Sequence, residues 1–265
     1  NRIGQVVAER YRLEVLIDLG GQSEIYRARD LIEGDLVAVK ILTDVGARDP
    51  QLRERLLREA HALAQLGRSA AVRVLDQGFA PDGALAMVME LLRGVNFEVY
   101  LERLERGGVR LPPDELSRLL GPIVDTLDRC HALGIIHRDL KPKNLYVVDA
   151  AHGGGVKPLD FGFAKFLRMR SVTAAGMVAG SPSYIPPESW LGANATLDQR
   201  ADVYGLGAVM FRALSGKPPF LARDLRELLE LVTTAPRPSL HGLRPDLPSG
   251  VDDWVAQALA IHPDE

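Results

Sequence analysis

Ile136-His137-Arg138-Asp139-Leu140-Lys141-Pro142-Lys143-Asn144, followed by Leu159-Asp160-Phe161-Gly162, is the stretch from which the rest of the chain can be read. Moving a phosphoryl group requires a carboxylate to take the proton of the attacking hydroxyl, a cation on the transferring phosphate, and hard oxygen ligands for magnesium. Asp139, Lys141, Asn144 and Asp160 have those chemical types. A lone Asp or Asn in a loop is ordinarily a turn-capping residue. Here the joint order and spacing of the whole stretch outweigh that reading.

Composition is compatible with such an enzyme. With 265 residues, of which 46% are hydrophobic, the chain can bury one large core or two modest ones, and nothing marks it as disordered or fibrous. A formal net charge of −3 without basic runs argues against a nucleic-acid binder, which needs a concentrated Lys/Arg face. The single cysteine, Cys130, cannot form an internal disulfide and fits a reducing, cytoplasmic setting. It sits in a helical apolar pattern with Leu127 and Leu133, so an inert buried role is expected. No window approaches the ~18 apolar residues of a membrane span, and no signal-peptide pattern opens the chain, so no membrane contact by this segment is expected.

Outward from the central stretch, the pattern changes character once. Short alternating runs at Tyr11–Leu19, Glu24–Arg29, Leu36–Leu42, Val72–Phe79 and Leu85–Glu90 predict strands, with Pro81-Asp82-Gly83 as a hairpin turn. One helix is inserted among them. Asp49 is its expected N-cap and Pro50 its first residue, with Leu52, Leu56, Ala60 and Leu63 at helical spacing and Glu59 beside that stripe. After Gly94 the spacing predicts helices at Pro113–Gly134, Asp198–Ser215, Leu221–Thr233 and Val251–Ile261. The change near Leu91–Gly94 reads as a hinge, where ligand clefts commonly form.

The central stretch resembles the catalytic and metal-binding loops of eukaryotic-type protein kinases, and the resemblance to bacterial Ser/Thr members covers essentially the whole chain. It implies an α+β, two-lobed fold: a β-rich N-lobe over residues 11–92 and a helical C-lobe over 93–265, one domain ending short of the last family helix. It further implies that Lys40, in Val37-Ala38-Val39-Lys40, contacts the α- and β-phosphates of ATP and pairs with Glu59. Asp139 would orient the substrate hydroxyl, Lys141 would sit beside the γ-phosphate, and Asn144 and Asp160 would hold Mg2+. Lys141 fits the Ser/Thr-specific branch. By the same carry-over Ile17, Ile25 and Ala38 line the adenine slot with Met89 as gatekeeper, Glu90 and Leu92 offer hinge backbone groups, and Tyr146 forms the floor. Gly180–Glu188 resembles the peptide-docking segment, with Pro186 in place of the usual Ala, and Asp202 is expected to hold the catalytic-loop backbone.

The nucleotide roof departs from the family pattern. Aligned on the glycine-rich loop, Asp18 stands at the first glycine and Ser23 at the third, so only Gly20 is kept. Ser23 should stiffen the loop, and an Asp18 carboxylate facing the triphosphate would repel it. The expected function is ATP- and Mg-dependent phosphorylation of Ser/Thr in protein substrates, with a homodimer for autophosphorylation of Thr173 and then Ser171, where Arg138 offers a phosphate a bidentate partner. The rival is a pseudokinase scaffold that keeps the fold but binds nucleotide poorly through its altered loop. A small-molecule phosphotransferase is a third reading, disfavoured by the peptide-docking segment.

Overall fold

The computed structural model describes residues 2–20, 23–42, 70–159, 182–190 and 198–264. The described residues gather into two compact units that part between Arg93 and Gly94. The expected helix from Asp49 through Leu63 lies outside the described residues.

The first unit is an antiparallel sheet of β1 (Val6–Val7), β2 (Tyr11–Leu19), β3 (Ser23–Asp30), β4 (Leu36–Leu42), β5 (Val74–Phe79) and β6 (Leu85–Glu90), in the order β1-β2-β3-β4-β6-β5. Period-2 alternation sorts its side chains. Leu13, Tyr26, Ala28, Val37, Val39, Ile41, Ala86 and Val88 share one buried cluster, which leaves Ala38 and Lys40 on the opposite face of β4. The β5–β6 hairpin turns as expected at Pro81–Gly83, where Gly83 takes φ +83° and the Asp82 carboxylate accepts the Ala84 N–H. β5 starts at Val74 rather than Val72, and its register slips between Val74 and Asp76.

The outer strands of this sheet meet. The Ala8 N–H donates to the Phe79 carbonyl at 3.0 Å, tying the end of β1 to the end of β5. A Cβ on Gly78 would lie 2.6 Å from the Ala8 Cβ, so this approach requires glycine. Ala8 and Glu9 both adopt left-handed φ, at 49° and 56°, as the chain turns from β1 into β2. Beyond that turn Arg10 grips the buried Asp30 carboxylate with two bonds of 2.7 and 2.6 Å.

The second unit begins with a small sheet, β7 (Gly94–Asn96), β8 (Leu145–Val148) and β9 (Val156–Pro158), in sequence order. Its helices among the described residues are α1 (Phe97–Arg106), α2 (Pro113–Ala132), α3 (Pro187–Trp190), α4 (Arg200–Ser215), α5 (Leu225–Thr234), α6 (Leu240–Leu243) and α7 (Val251–Ala258). α4 is buried on nearly all sides. Its Arg212 reaches back to α1, donating to Glu98 at 2.8 Å and also pairing with Glu105.

Several boundaries differ from the sequence expectation for local reasons. α4 starts at Arg200 because the Asp198 carboxylate captures the Arg200 N–H at 2.9 Å. α5 starts at Leu225, not Leu221, because Asp224 is its N-cap and accepts the Glu227 N–H. α2 stops at Ala132, with Gly134 beyond it at φ +72°, and α7 stops at Ala258. α1 was not expected. Its buried residues are only Phe97 and Leu101, and Asn96 starts it by accepting the Val99 N–H.

Candidate active site

The loop between α2 and β8 is anchored from beneath by one carboxylate. Asp202, in the first turn of α4 and 0% exposed, accepts the His137 N–H at 2.8 Å on Oδ2 and the Arg138 N–H at 2.6 Å on Oδ1. Arg138 is held at φ +64°, a left-handed conformation that a non-glycine residue keeps only when its surroundings enforce it. Asp139 follows directly. A Cβ on Gly205, one turn along α4, would come within 3.0 Å of the Leu140 Cβ and 3.2 Å of its carbonyl oxygen, so glycine lets the loop lie on the helix.

His137, also 0% exposed, joins this loop to the next one. Its Nε2 lies 2.8 Å from the Leu159 carbonyl oxygen, which can only accept, so Nε2 carries the proton and Nδ1 accepts the Asp139 N–H at 3.3 Å. The Leu159 N–H in turn donates to the Asn144 carbonyl at 2.7 Å. The residue preceding Asp160 is thereby fixed beside Asn144. Asp160 itself, like Glu59, lies outside the described residues.

Around Asp139 the polar groups converge. Lys141 Nζ is 2.8 Å from Asp139 Oδ2, and Asn144 Nδ2 donates at 2.8 Å to the same oxygen and to the Asp139 carbonyl. Asn144 thus spends its amide nitrogen on Asp139 and keeps its Oδ1, a hard oxygen suited to magnesium. Tyr146, on β8, donates its hydroxyl to the Gly94 carbonyl at 2.9 Å, and burial pushes its pKa up. Gly94 has no substitute there. A Cβ would sit 2.0 Å from the Val147 carbonyl oxygen.

In the first unit, strand register gathers the remaining residues. Ile25 pairs with Lys40, Ala38 pairs with Met89, and these cross-strand partners share the face of β4 opposite the apolar cluster. Lys40 is only 3% exposed. Glu90 ends β6, and its carboxylate accepts the Arg73 N–H at 2.7 Å. Leu92 follows outside any strand. Ile17 lies at an irregularity of β2 between Leu16 and Asp18, and Asp18 stands opposite Ile25. Asp18 Oδ1 accepts the Leu19 N–H at 2.9 Å, and the Gly20 N–H donates to the Ser23 carbonyl at 2.8 Å.

Of the docking segment, Gly180 and Ser181 lie outside the described residues, as do Ser171 and Thr173. From Pro182 a 3-10 turn runs to the buried Tyr184, and Trp190 Nε1 donates to the Ile185 carbonyl. Glu188 is half-buried, and burial raises its pKa. Cys130 is 0% exposed and its thiol is pushed up to about 12 by burial, as suits an inert core residue. Sequence reasoning did not single out Gly94 or Gly205. The two glycines matter through backbone approach, which has no periodic signature.

The protein kinase domain profile matches residues 11–243. The chain is 36% identical over 267 residues to the probable serine/threonine-protein kinase PknB of Corynebacterium glutamicum, covering 97% of this chain and 40% of that protein. To the serine/threonine-protein kinase PknA of Mycobacterium tuberculosis it is also 36% identical over 267 residues, covering 99% of this chain and 59% of that protein. The crystal structure of the Mycobacterium tuberculosis PknI kinase domain matches with a TM-score of 0.73 at 26% identity, covering 99% of this chain and 91% of that one. The chain therefore spans only part of its curated relatives, about two fifths of the first of them. With the loop pinned by Asp202 and the Asp139, Lys141 and Asn144 constellation that it carries, the chain belongs to the protein kinase domain family, beside bacterial serine/threonine kinases.

Proposed function

We propose that this chain transfers the γ-phosphoryl group of ATP to Ser or Thr hydroxyls of protein substrates. The observation that carries the reading is the convergence of Lys141 and Asn144 on Asp139, 2.8 Å each, in a loop whose backbone is fixed by Asp202. Asp139 takes the hydroxyl proton as the substrate oxygen bonds to the γ-phosphorus and the bond to the departing ADP oxygen breaks. Lys141 moves its charge from Asp139 towards the phosphoryl oxygens, and Lys40 holds the α- and β-phosphates. Glu59 steadies Lys40. Magnesium, when bound, neutralises charge on the phosphate tail. Asn144 and Asp160 are its proposed protein ligands. Ile25, Ala38 and Met89 line the adenine slot with Ile17 and Tyr146, while Glu90 and Leu92 offer backbone groups to the ring and Gly20 belongs to the loop over the phosphates.

In this reading residues 11–92 act as the N-lobe and 93–265 as the C-lobe, the enzyme works in the cytoplasm, and two copies pair for autophosphorylation at Thr173 and Ser171. The names of the relatives favour catalysis over a scaffold. A radiolabelled-ATP transfer assay with and without Asp139→Asn tests the reading, with mass spectrometry of the incubated protein for the loop sites. Equal transfer by the two proteins, or none by either, would reject it.

A further inference from the structure

The segment ahead of β1 folds back over the first sheet. The Gly4 N–H donates to the Leu13 carbonyl at 2.8 Å, the Leu13 N–H donates to the Gln5 carbonyl at 2.9 Å, and Gly4 takes φ +88°. The Gln5 N–H closes the turn on the Arg2 carbonyl at 3.0 Å. Arg2 thereby reaches across to β3, where its Nε donates to Glu24 Oε2 at 2.9 Å. Its Nη1 lies 2.7 Å from the Asp82 carboxylate in the β5–β6 turn. The side chains of Arg2 and Glu24 are only 16% and 18% exposed, so water replaces little of the pair when one partner is removed. The Tyr26 hydroxyl donates to the same Glu24 oxygen at 3.0 Å, from within the buried apolar cluster.

The place of Glu24 gives this clamp its meaning. Leu19 and Glu24 form the last register pair of β2 with β3 before the loop, in which the Gly20 N–H donates to the Ser23 carbonyl at 2.8 Å. Ile25, next along β3, stands opposite Lys40. Side chains alternate along a strand, so Glu24 and Tyr26 share the face of the apolar cluster while Ile25 lies on the other. The end of β2 has little packing of its own, because every residue from Val15 to Leu19 is exposed. Its placement depends on β3, and Arg2 holds β3 at the root of the loop. We propose that Arg2 is a positioning residue for ATP: through Glu24 it fixes the root of the loop over the phosphates, from the far face of the sheet and without touching the nucleotide. The proposal rests on reading Gly20 as part of that loop and Ile25 as part of the adenine slot.

Arg2→Leu and Glu24→Met each remove the bond, so a combined variant should lose no more than either alone. Arg2→Lys keeps a cation for Glu24 but cannot bridge two carboxylates. The four variants would be compared with the unmodified chain by calorimetry of Mg-ATP binding, by steady-state kinetics on a Ser/Thr peptide, and by hydrogen exchange at the Gly20 amide without nucleotide. The expected result is Mg-ATP affinity weaker by about five- to tenfold in Arg2→Leu, Glu24→Met and the combined variant, and within about threefold of the unmodified chain in Arg2→Lys. KM for ATP should rise in step, with kcat at saturating ATP and KM for the peptide within about twofold, and the Gly20 amide should exchange faster. A merely structural role would lower the melting temperature without separating KM for ATP from kcat. Unchanged affinity in Arg2→Leu overturns the proposal, as does a loss confined to kcat, a loss that Arg2→Lys does not lessen, or single losses that add in the combined variant. If Arg2→Leu does not fold, Glu24→Met and Arg2→Lys decide by the same readings. An unmodified chain that binds no Mg-ATP overturns the kinase reading and this proposal together. One that transfers phosphate but binds Mg-ATP no better than Arg2→Leu overturns this proposal alone.

Discussion

Asn144 is joined twice to Asp139, its side-chain nitrogen donating at 2.8 Å to both the carbonyl oxygen and the carboxylate Oδ2. One residue thus orients the carboxylate with its nitrogen, and in the proposed reading its oxygen faces the cation. The two halves of that amide can be separated by mutation. Asn144→Ala loses both, and a fall in kcat of about 100-fold or more is expected. Asn144→Asp keeps a metal oxygen but sets a second carboxylate against Asp139, which should destabilise the apo protein by about 1 kcal/mol. Magnesium should then raise the melting temperature of Asn144→Asp more than that of Asn144→Ala, as read by scanning fluorimetry. Equal shifts would mean that Asn144 does not face the cation.

Asp18 supplies the next test. Its carboxylate occupies the Leu19 N–H, and its register partner Ile25 stands beside Lys40 across the sheet. An acidic group facing the phosphates would repel them and would compete for a loop amide. Asp18→Gly should tighten Mg-ATP binding several-fold in isothermal titration calorimetry. Unchanged or weaker affinity would show that the carboxylate lies clear of the phosphates.

Arg212 is 5% exposed and serves two glutamates of α1. Removing a buried partner strands the charges it neutralised, but Glu98 and Glu105 retain 21% and 36% side-chain exposure, which tempers the cost. Arg212→Met should therefore destabilise by about 2 kcal/mol in urea unfolding, below the range for a fully buried pair. Replacing both glutamates by Gln in the same chain should return most of the loss.

Acid stability should depend on Asp30. The paired Arg10 guanidinium holds its carboxyl at about 2, below the ordinary 3.8, with the Ile32 and Glu33 amides assisting. A depressed carboxyl pKa contributes stability that is complete above the unfolded value and is lost as pH falls through the folded one. The contribution of Asp30 should therefore fade between pH 3.8 and about 2. Asp30→Asn should unfold more readily than the parent at pH 6, and the gap should close across that window in circular-dichroism melts.

Much of this was legible from residue order alone. β4 and β6 were readable because Leu36–Leu42 and Leu85–Glu90 are apolar runs bounded by turns, and the side chains that meet around Asp139 were marked by their spacing. The anchoring role of Asp202 was also foreseen, through the resemblance. What escaped was set by approach rather than by pattern. The three-residue strands β7 and β9 are too short for alternation to register, and the need for glycine at Gly94 and Gly205 comes from the backbone of Val147 and Leu140, distant in sequence. The irregular step in β2 that sets Asp18 opposite Ile25 was also hidden, because nothing in the run Val15–Leu19 announces it.

The bond between Ala8 and Phe79 carries a consequence for how copies of this protein keep apart. A strand margin is a row of unsatisfied amides and carbonyls that any other strand can extend. By bringing β1 round to β5, this chain leaves both margins of its six-stranded sheet engaged with each other at that corner. Removing β1 and its turn would uncover β2 along one margin and Phe79 on the other, two open rows to which a strand of another copy could add.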